Sequence, residues 1–136
     1  MLSRELRAIA QNLNVLYVED EEDTRIQIAD ILRMFFKNVI VAENGKEGVE
    51  KFKAFPVDLT LSDLTMPVMD GVEMLKEILA LNPNTKTIVM TAHNTGDKLL
   101  ENEHLYSTDI LYKPIDINKT LQLLYDTCQE IVKKSA

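Results

Sequence analysis

Val57-Asp58-Leu59-Thr60-Leu61-Ser62-Asp63-Leu64-Thr65-Met66-Pro67-Val68-Met69-Asp70-Gly71 begins as a short apolar run and then breaks into two loop signals. A run this short suits a buried strand better than a helix. Met66-Pro67 and Asp70-Gly71 end it, and a new helical pattern starts at Val72. Asp63 therefore stands where a buried strand leaves the core, at the carboxyl end of an expected parallel sheet. That edge is where open α/β sheets bind ligands.

Upstream, Val15-Leu16-Tyr17-Val18 reads as a strand that runs into four acids, Glu19-Asp20-Glu21-Glu22. A helical pattern comes next through Ile26, Ile28, Ala29, Ile31, Leu32 and Phe35, with Asp23 or Thr24 as its cap. Val39-Ile40-Val41-Ala42 is a strand, and Glu43-Asn44-Gly45 is its turn. The next helix carries Val49, Phe52 and Phe55 on one face and is stopped by Pro56. Downstream, Val72, Leu75, Ile78, Leu79 and Leu81 mark a helix closed by Asn82-Pro83-Asn84. Thr87-Ile88-Val89-Met90 is a strand leading to Thr91, and 96–105 is the weakest helical pattern. Asp109-Ile110-Leu111-Tyr112 is the last strand, with Lys113-Pro114 directly after it. Ile117, Leu121, Leu124, Cys128 and Ile131 line a long final helix. In front of everything, Leu2, Leu6, Ile9, Ala10 and Leu13 form a helical stripe with Ser3 as a candidate cap. Five βα alternations with one extra helix predict a doubly wound, five-stranded parallel α/β sheet covered by helices on both faces.

A chain of 136 residues is one domain, long enough to bury a core. A net charge of −7 argues against general nucleic-acid binding, which needs a basic footprint. No apolar run is long enough to span a bilayer, and the N-terminus lacks the apolar core of a signal peptide. Cys128 is the only cysteine, so an internal disulfide is excluded and a reducing compartment, the cytoplasm, is expected.

Four strand ends carry polar residues that a core cannot use: Glu19 and Asp20, Asp63, Thr91, and Lys113. In a doubly wound sheet they open onto one crevice. Converging carboxylates repel and take up protons unless a cation joins them, and hard oxygen ligands suit Mg²⁺. A lysine and a threonine hydroxyl beside them can hold phosphoryl oxygens. This donor set suits metal-assisted phosphoryl transfer to the Asp63 carboxylate.

The same residues carry a family resemblance. Val-Leu-Tyr-Val-Glu-Asp-Glu, Ser-Asp-Leu-Thr-Met-Pro-Val-Met-Asp-Gly, Val-Met-Thr-Ala and Tyr-Lys-Pro occur in order, each at an expected strand end. Together they resemble a response-regulator receiver domain of two-component signalling, similar to the single-domain chemotaxis regulators. The resemblance covers about residues 14–134, leaving 1–13 as a helical extension, and implies the flavodoxin-like (βα)5 fold. It implies that Asp63 accepts a phosphoryl group from a histidine kinase or phosphotransfer protein. Glu19, Asp20, Asp63 and the backbone carbonyl of Thr65 would hold Mg²⁺, with Thr91 and Lys113 taking the phosphoryl group. Pro114 in such domains often comes after a cis peptide. Output would pass to a downstream protein through the face made by 96–105, the last strand and the final helix. No nucleic acid, membrane or external substrate is expected for this domain, and a homodimer is allowed.

Some positions depart from the family. Where it often has Tyr or Phe as a switch, three residues before the lysine, this chain has Ile110, and Tyr106-Ser107 replaces a small Gly-Ala pair. Thr65 and His93 occupy the two variable positions that tune phosphoryl loss in such domains. Two other functions compete with the switch. A Mg²⁺-dependent phosphatase would want a second acid where Thr65 stands, and a phosphorylation-independent binding module is favoured by Ile110 alone. Blander readings cover the rest. Asp70 is a turn or cap residue, and Cys128 and the methionines are core or loop fillers. His93 and His104 lack zinc spacing, and the N-terminal stripe either packs on the domain or forms a docking element.

Overall fold

The structure, a computed structural model, describes residues 2–64, 69–91 and 108–135. Its strands are β1 (Asn14–Val18), β2 (Asn38–Ala42), β3 (Leu59–Asp63), β4 (Lys86–Thr91) and β5 (Asp109–Tyr112). The described helices are α1 (Leu2–Ala10), α2 (Glu22–Arg33), α3 (Gly45–Ala54), α4 (Gly71–Leu81) and α5 (Ile117–Ser135). All strands are parallel, in the order β2-β1-β3-β4-β5. This is the doubly wound sheet the alternation predicts. The segment 96–105 lies outside the described residues.

Successive strand residues point to opposite faces, and the core divides accordingly. Val15, Tyr17, Leu59, Leu61, Ile88 and Met90 pack under α1, α2 and α5, where they meet Leu6, Ala29, Leu32, Leu124 and Cys128. Leu16, Val18 and Val89 face the other way, onto Val49 of α3 and Val72, Met74, Leu75 and Ile78 of α4. The inner strands β1, β3 and β4 are buried almost throughout, whereas the edges β2 and β5 are only partly covered. Burial on both faces explains why β1 reads as a continuous apolar run and why β3 and β4 add to theirs only small hydroxyl residues, the buried Thr60, Ser62 and Thr87. Each fully buried Leu or Ile contributes roughly 1.5–3 kcal/mol. The N-terminal stripe belongs to this core: Leu6 and Ala10 are 0 % exposed. α1 packs against α5, and Arg7 Nε donates to the Met34 carbonyl at 3.1 Å.

Helix starts differ from the sequence expectation. Glu21, not Asp23 or Thr24, caps α2, its carboxylate accepting from the Asp23 and Thr24 N–H groups at 3.2 and 3.0 Å. The Thr24 hydroxyl bonds the same carboxylate, which fixes the helix start two residues early. Ser3 lies inside α1 rather than at its cap. Asn44 and Asp70 cap α3 and α4, accepting from Glu47 N and Glu73 N. Phe55 leaves the α3 face because the residue before a proline disfavours helical backbone: it is extended (φ −128°, ψ 151°) and 48 % exposed. Ile26, Ile31 and Leu81 are also exposed, because the apolar stripes of α2 and α4 are wider than the sheet surface they cover.

Candidate functional site

The strand order places the site. The chain leaves β1 towards β2 and leaves β3 towards β4, so a crevice opens between the carboxyl ends of β1 and β3. Register aligns the residues at the end of each strand. Val18 pairs with Ser62, Asp63 with Met90, and Thr91 with Tyr112, so Glu19 comes level with Asp63, Thr91 follows one residue further along and Lys113 one residue beyond that, all at the carboxyl edge. Backbone bonds carry the ladder past the strands: Glu19 N to Ala42 O (3.1 Å), Leu64 N to Met90 O (3.1 Å) and Lys113 N to Thr91 O (2.8 Å). Gly71 lets α4 start directly against this edge, its N–H donating to Leu64 O at 2.7 Å. A Cβ there would sit 2.7 Å from Asp63 O and 2.8 Å from Leu64 Cα, so no larger residue fits without movement.

Three carboxylates converge at this level. Glu19, Asp20 and Asp63 offer oxygen atoms that all lie within 4.8 Å of one another. Lys113 Nζ stands 3.4 Å from Asp63 Oδ2, beside a cis Lys113-Pro114 peptide. Thr91, at the end of β4, is buried. Glu19 is 2 % exposed; its Oε2 accepts from the Glu21 N–H at 3.2 Å, while its Oε1 is buried with no hydrogen-bond partner. Burial pushes the Glu19 carboxyl up to about 7, with the Asp63 charge adding to the rise and the Glu21 N–H opposing it. An orphaned buried oxygen in a cluster of hard, mutually repelling carboxylates fits a small divalent cation.

Of the residues singled out from sequence, Glu19, Asp20, Asp63 and Lys113 form this cluster, and Thr91 ends the strand beside Asp63. Thr65 and His93 lie outside the described residues, as do His104 and Tyr106. Ile110 packs against the core under α3 and α4. Cys128 is wholly buried, and burial pushes its thiol up to about 12, far from a reactive thiolate. Sequence reading passed over Arg25. Its side chain is 13 % exposed, and it donates to the carbonyl of Glu19 at 3.0 Å and of Asp20 at 3.4 Å. Its only sequence signal is an arginine one turn after the acids, which ordinary surface helices also show.

Residues 15–125 match the family model described as "Response regulator receiver domain". The chain is 32 % identical over 111 residues to the chemotaxis protein CheY of Thermotoga maritima, covering 81 % of this chain and 92 % of that one. It is 35 % identical over 113 residues to the transcriptional regulatory protein ZraR of Klebsiella oxytoca, covering 83 % of this chain. There the chain spans only about a quarter (25 %) of the relative's length. Among solved structures it resembles the CheX–CheY–BeF3–Mg complex from Borrelia burgdorferi, with TM-score 0.73 and 29 % identity over 84 % of this chain and 87 % of that one. No helix among the described residues is long and apolar enough to cross a membrane.

Proposed function

Because the chain belongs to the response-regulator receiver family, we propose that it is a phosphorylation-controlled signalling switch with Asp63 as phosphoacceptor. The observation that carries this reading is the convergence of Glu19, Asp20 and Asp63 within 4.8 Å, with the Lys113 ammonium 3.4 Å from Asp63. Glu19, Asp20, Asp63 and the Thr65 backbone carbonyl would hold Mg²⁺, which when bound supplies positive charge to the phosphoryl oxygens. An Asp63 oxygen attacks the phosphorus of a phosphohistidine on a kinase or phosphotransfer protein. A P–O bond forms, the P–N bond breaks, and the departing imidazole takes a proton. Lys113 pairs with the charge on the transferring group, and the Thr91 hydroxyl donates to it.

The receiver body spans 14–134 with 1–13 as a helical extension, and Thr65 and His93 set how long the phosphoryl group lasts. Output is a change in protein contacts on the face that includes β5 and α5, in a cytoplasmic protein with no external substrate to turn over. A second reading, a binding module indifferent to phosphorylation, is favoured by Ile110, a partly buried aliphatic residue that packs against the core where an aromatic switch would stand.

Intact mass after incubation with a small-molecule phosphodonor separates the two. The switch requires one added phosphoryl group in the parent with Mg²⁺, and none with chelator or in Asp63→Asn. No addition, with no Mg²⁺ binding, leaves the second reading.

A further inference from the structure

We infer that Arg25 is a positioning residue for the acids of this site: its guanidinium holds the backbone of Glu19 and Asp20 so that both side chains meet Asp63. The inference rests on the proposed switch chemistry and adds to it a residue that touches neither metal nor phosphoryl group.

Arg25 lies in the first turn of α2, with its side chain largely covered. Nη1 donates to Glu19 O at 3.0 Å and reaches Asp20 O at 3.4 Å, while Nη2 reaches Glu43 Oε1 at 3.4 Å. One guanidinium therefore ties the loop after β1, the turn after β2 and the start of α2 together. Only a planar fork with several fixed donors can do this; a lysine ammonium on a flexible stem cannot hold two successive carbonyls and a carboxylate at once. From the other side, Glu19 N donates to Ala42 O at 3.1 Å. The Glu19 backbone is thus held at both its N–H and its carbonyl, and Asp20 at its carbonyl. Mg²⁺ demands near-ideal octahedral placement of its ligands, so a loop free to shift would bind it poorly.

The sign of the effect distinguishes positioning from charge. Arg25 is a cation bound to the backbone of two of the site's acids, and removing a through-space positive charge would by itself tighten Mg²⁺ binding. Loss of an outer contact that orients ligands typically weakens metal affinity about 10–100-fold. The test is the Mg²⁺ dissociation constant of the full chain by titration calorimetry, for parent, Arg25→Gln and Arg25→Lys, with folding checked by circular dichroism. Positioning predicts about tenfold weaker binding in Arg25→Gln. It also predicts weaker binding than the parent in Arg25→Lys, although the charge is kept. At saturating Mg²⁺ the phosphoryl uptake of both variants returns to near that of the parent, because Asp63, Thr91 and Lys113 are intact. A merely structural role would lower the melting temperature and leave the affinity of the folded protein unchanged. Unchanged or tighter binding in Arg25→Gln, or parental affinity in Arg25→Lys, overturns the inference. A parent that binds no Mg²⁺ overturns the switch reading itself, and this inference with it.

Discussion

Glu19→Gln should change how stability depends on pH. In the metal-free protein the folded-state carboxyl titrates at about 7 against 4.5 for an ordinary glutamate, chiefly because it is buried. Between those values the folded protein keeps a proton that the unfolded chain has released, so the parent loses stability as pH rises through the window. The full shift, from 4.5 to about 7, corresponds to a loss of about 3 kcal/mol by pH 8. Glutamine keeps the shape and does not titrate. Its amide oxygen can still accept from the Glu21 N–H, while its NH₂ takes the place of the unpartnered Oε1 at every pH. Any fixed cost of the substitution therefore cancels when one pH is compared with another. Urea unfolding in chelator at pH 4.5, 5.5, 6.5 and 8 should show the variant gaining on the parent by about 3 kcal/mol from the lowest pH to the highest. Mg²⁺ at pH 8 should then stabilise the parent more than the variant. Parallel stability curves would refute the reasoning, since they would mean that the Glu19 carboxyl is as solvated in the folded state as in the unfolded one.

Leu6→Ala should cost about 2–5 kcal/mol in urea unfolding, because it empties a wholly buried position beneath α1; a change under about 0.5 kcal/mol would mean that α1 does not contribute to the core. Gly71→Ala should destabilise by roughly 1–3 kcal/mol and slow phosphoryl uptake as well, because the added Cβ meets Asp63 O at 2.7 Å; unfolding and phosphodonor kinetics measure both. Lys113→Gln should lower the rate of phosphoryl uptake roughly tenfold or more while moving stability by less than about 1 kcal/mol, since its ion pair with Asp63 is partly solvent-exposed. Uptake at the parental rate would remove Lys113 from the site.

The sheet and the acidic site were both legible in the sequence, for one physical reason. The buried strands admit small hydroxyls such as Thr60, Ser62 and Thr87 but no charge in their interiors, so Glu19 and Asp63 stand out where β1 and β3 end, Thr91 and Lys113 close β4 and the edge strand β5, and the βα alternation then brings the ends together. The features that the sequence hid depend on contacts between distant segments or on local side-chain geometry. The sequence pointed to Asp23 or Thr24 as the cap of α2, and the choice of Glu21 depends on which side chain can turn back to the Asp23 and Thr24 N–H groups. The exposure of Ile26 and Ile31 depends on how much of α2 the sheet and α5 cover, which periodicity does not state. The burial of α1 against α5 joins the two ends of the described chain, beyond the reach of any local pattern. Arg25 bonds backbone carbonyls, and a carbonyl has no side-chain identity for a motif to record.

The central claim is that the Asp63 carboxylate itself takes the phosphoryl group. An acyl phosphate is reduced by borohydride to an alcohol, so a phosphorylated aspartate is trapped as homoserine and can be located by peptide mass. The protein treated with phosphodonor and Mg²⁺ and then with borohydride should carry homoserine at position 63 and at no other acid, and chelator should prevent it. Homoserine at Asp20 or another aspartate, or a phosphoryl group that resists borohydride and resides on a histidine, would contradict the account.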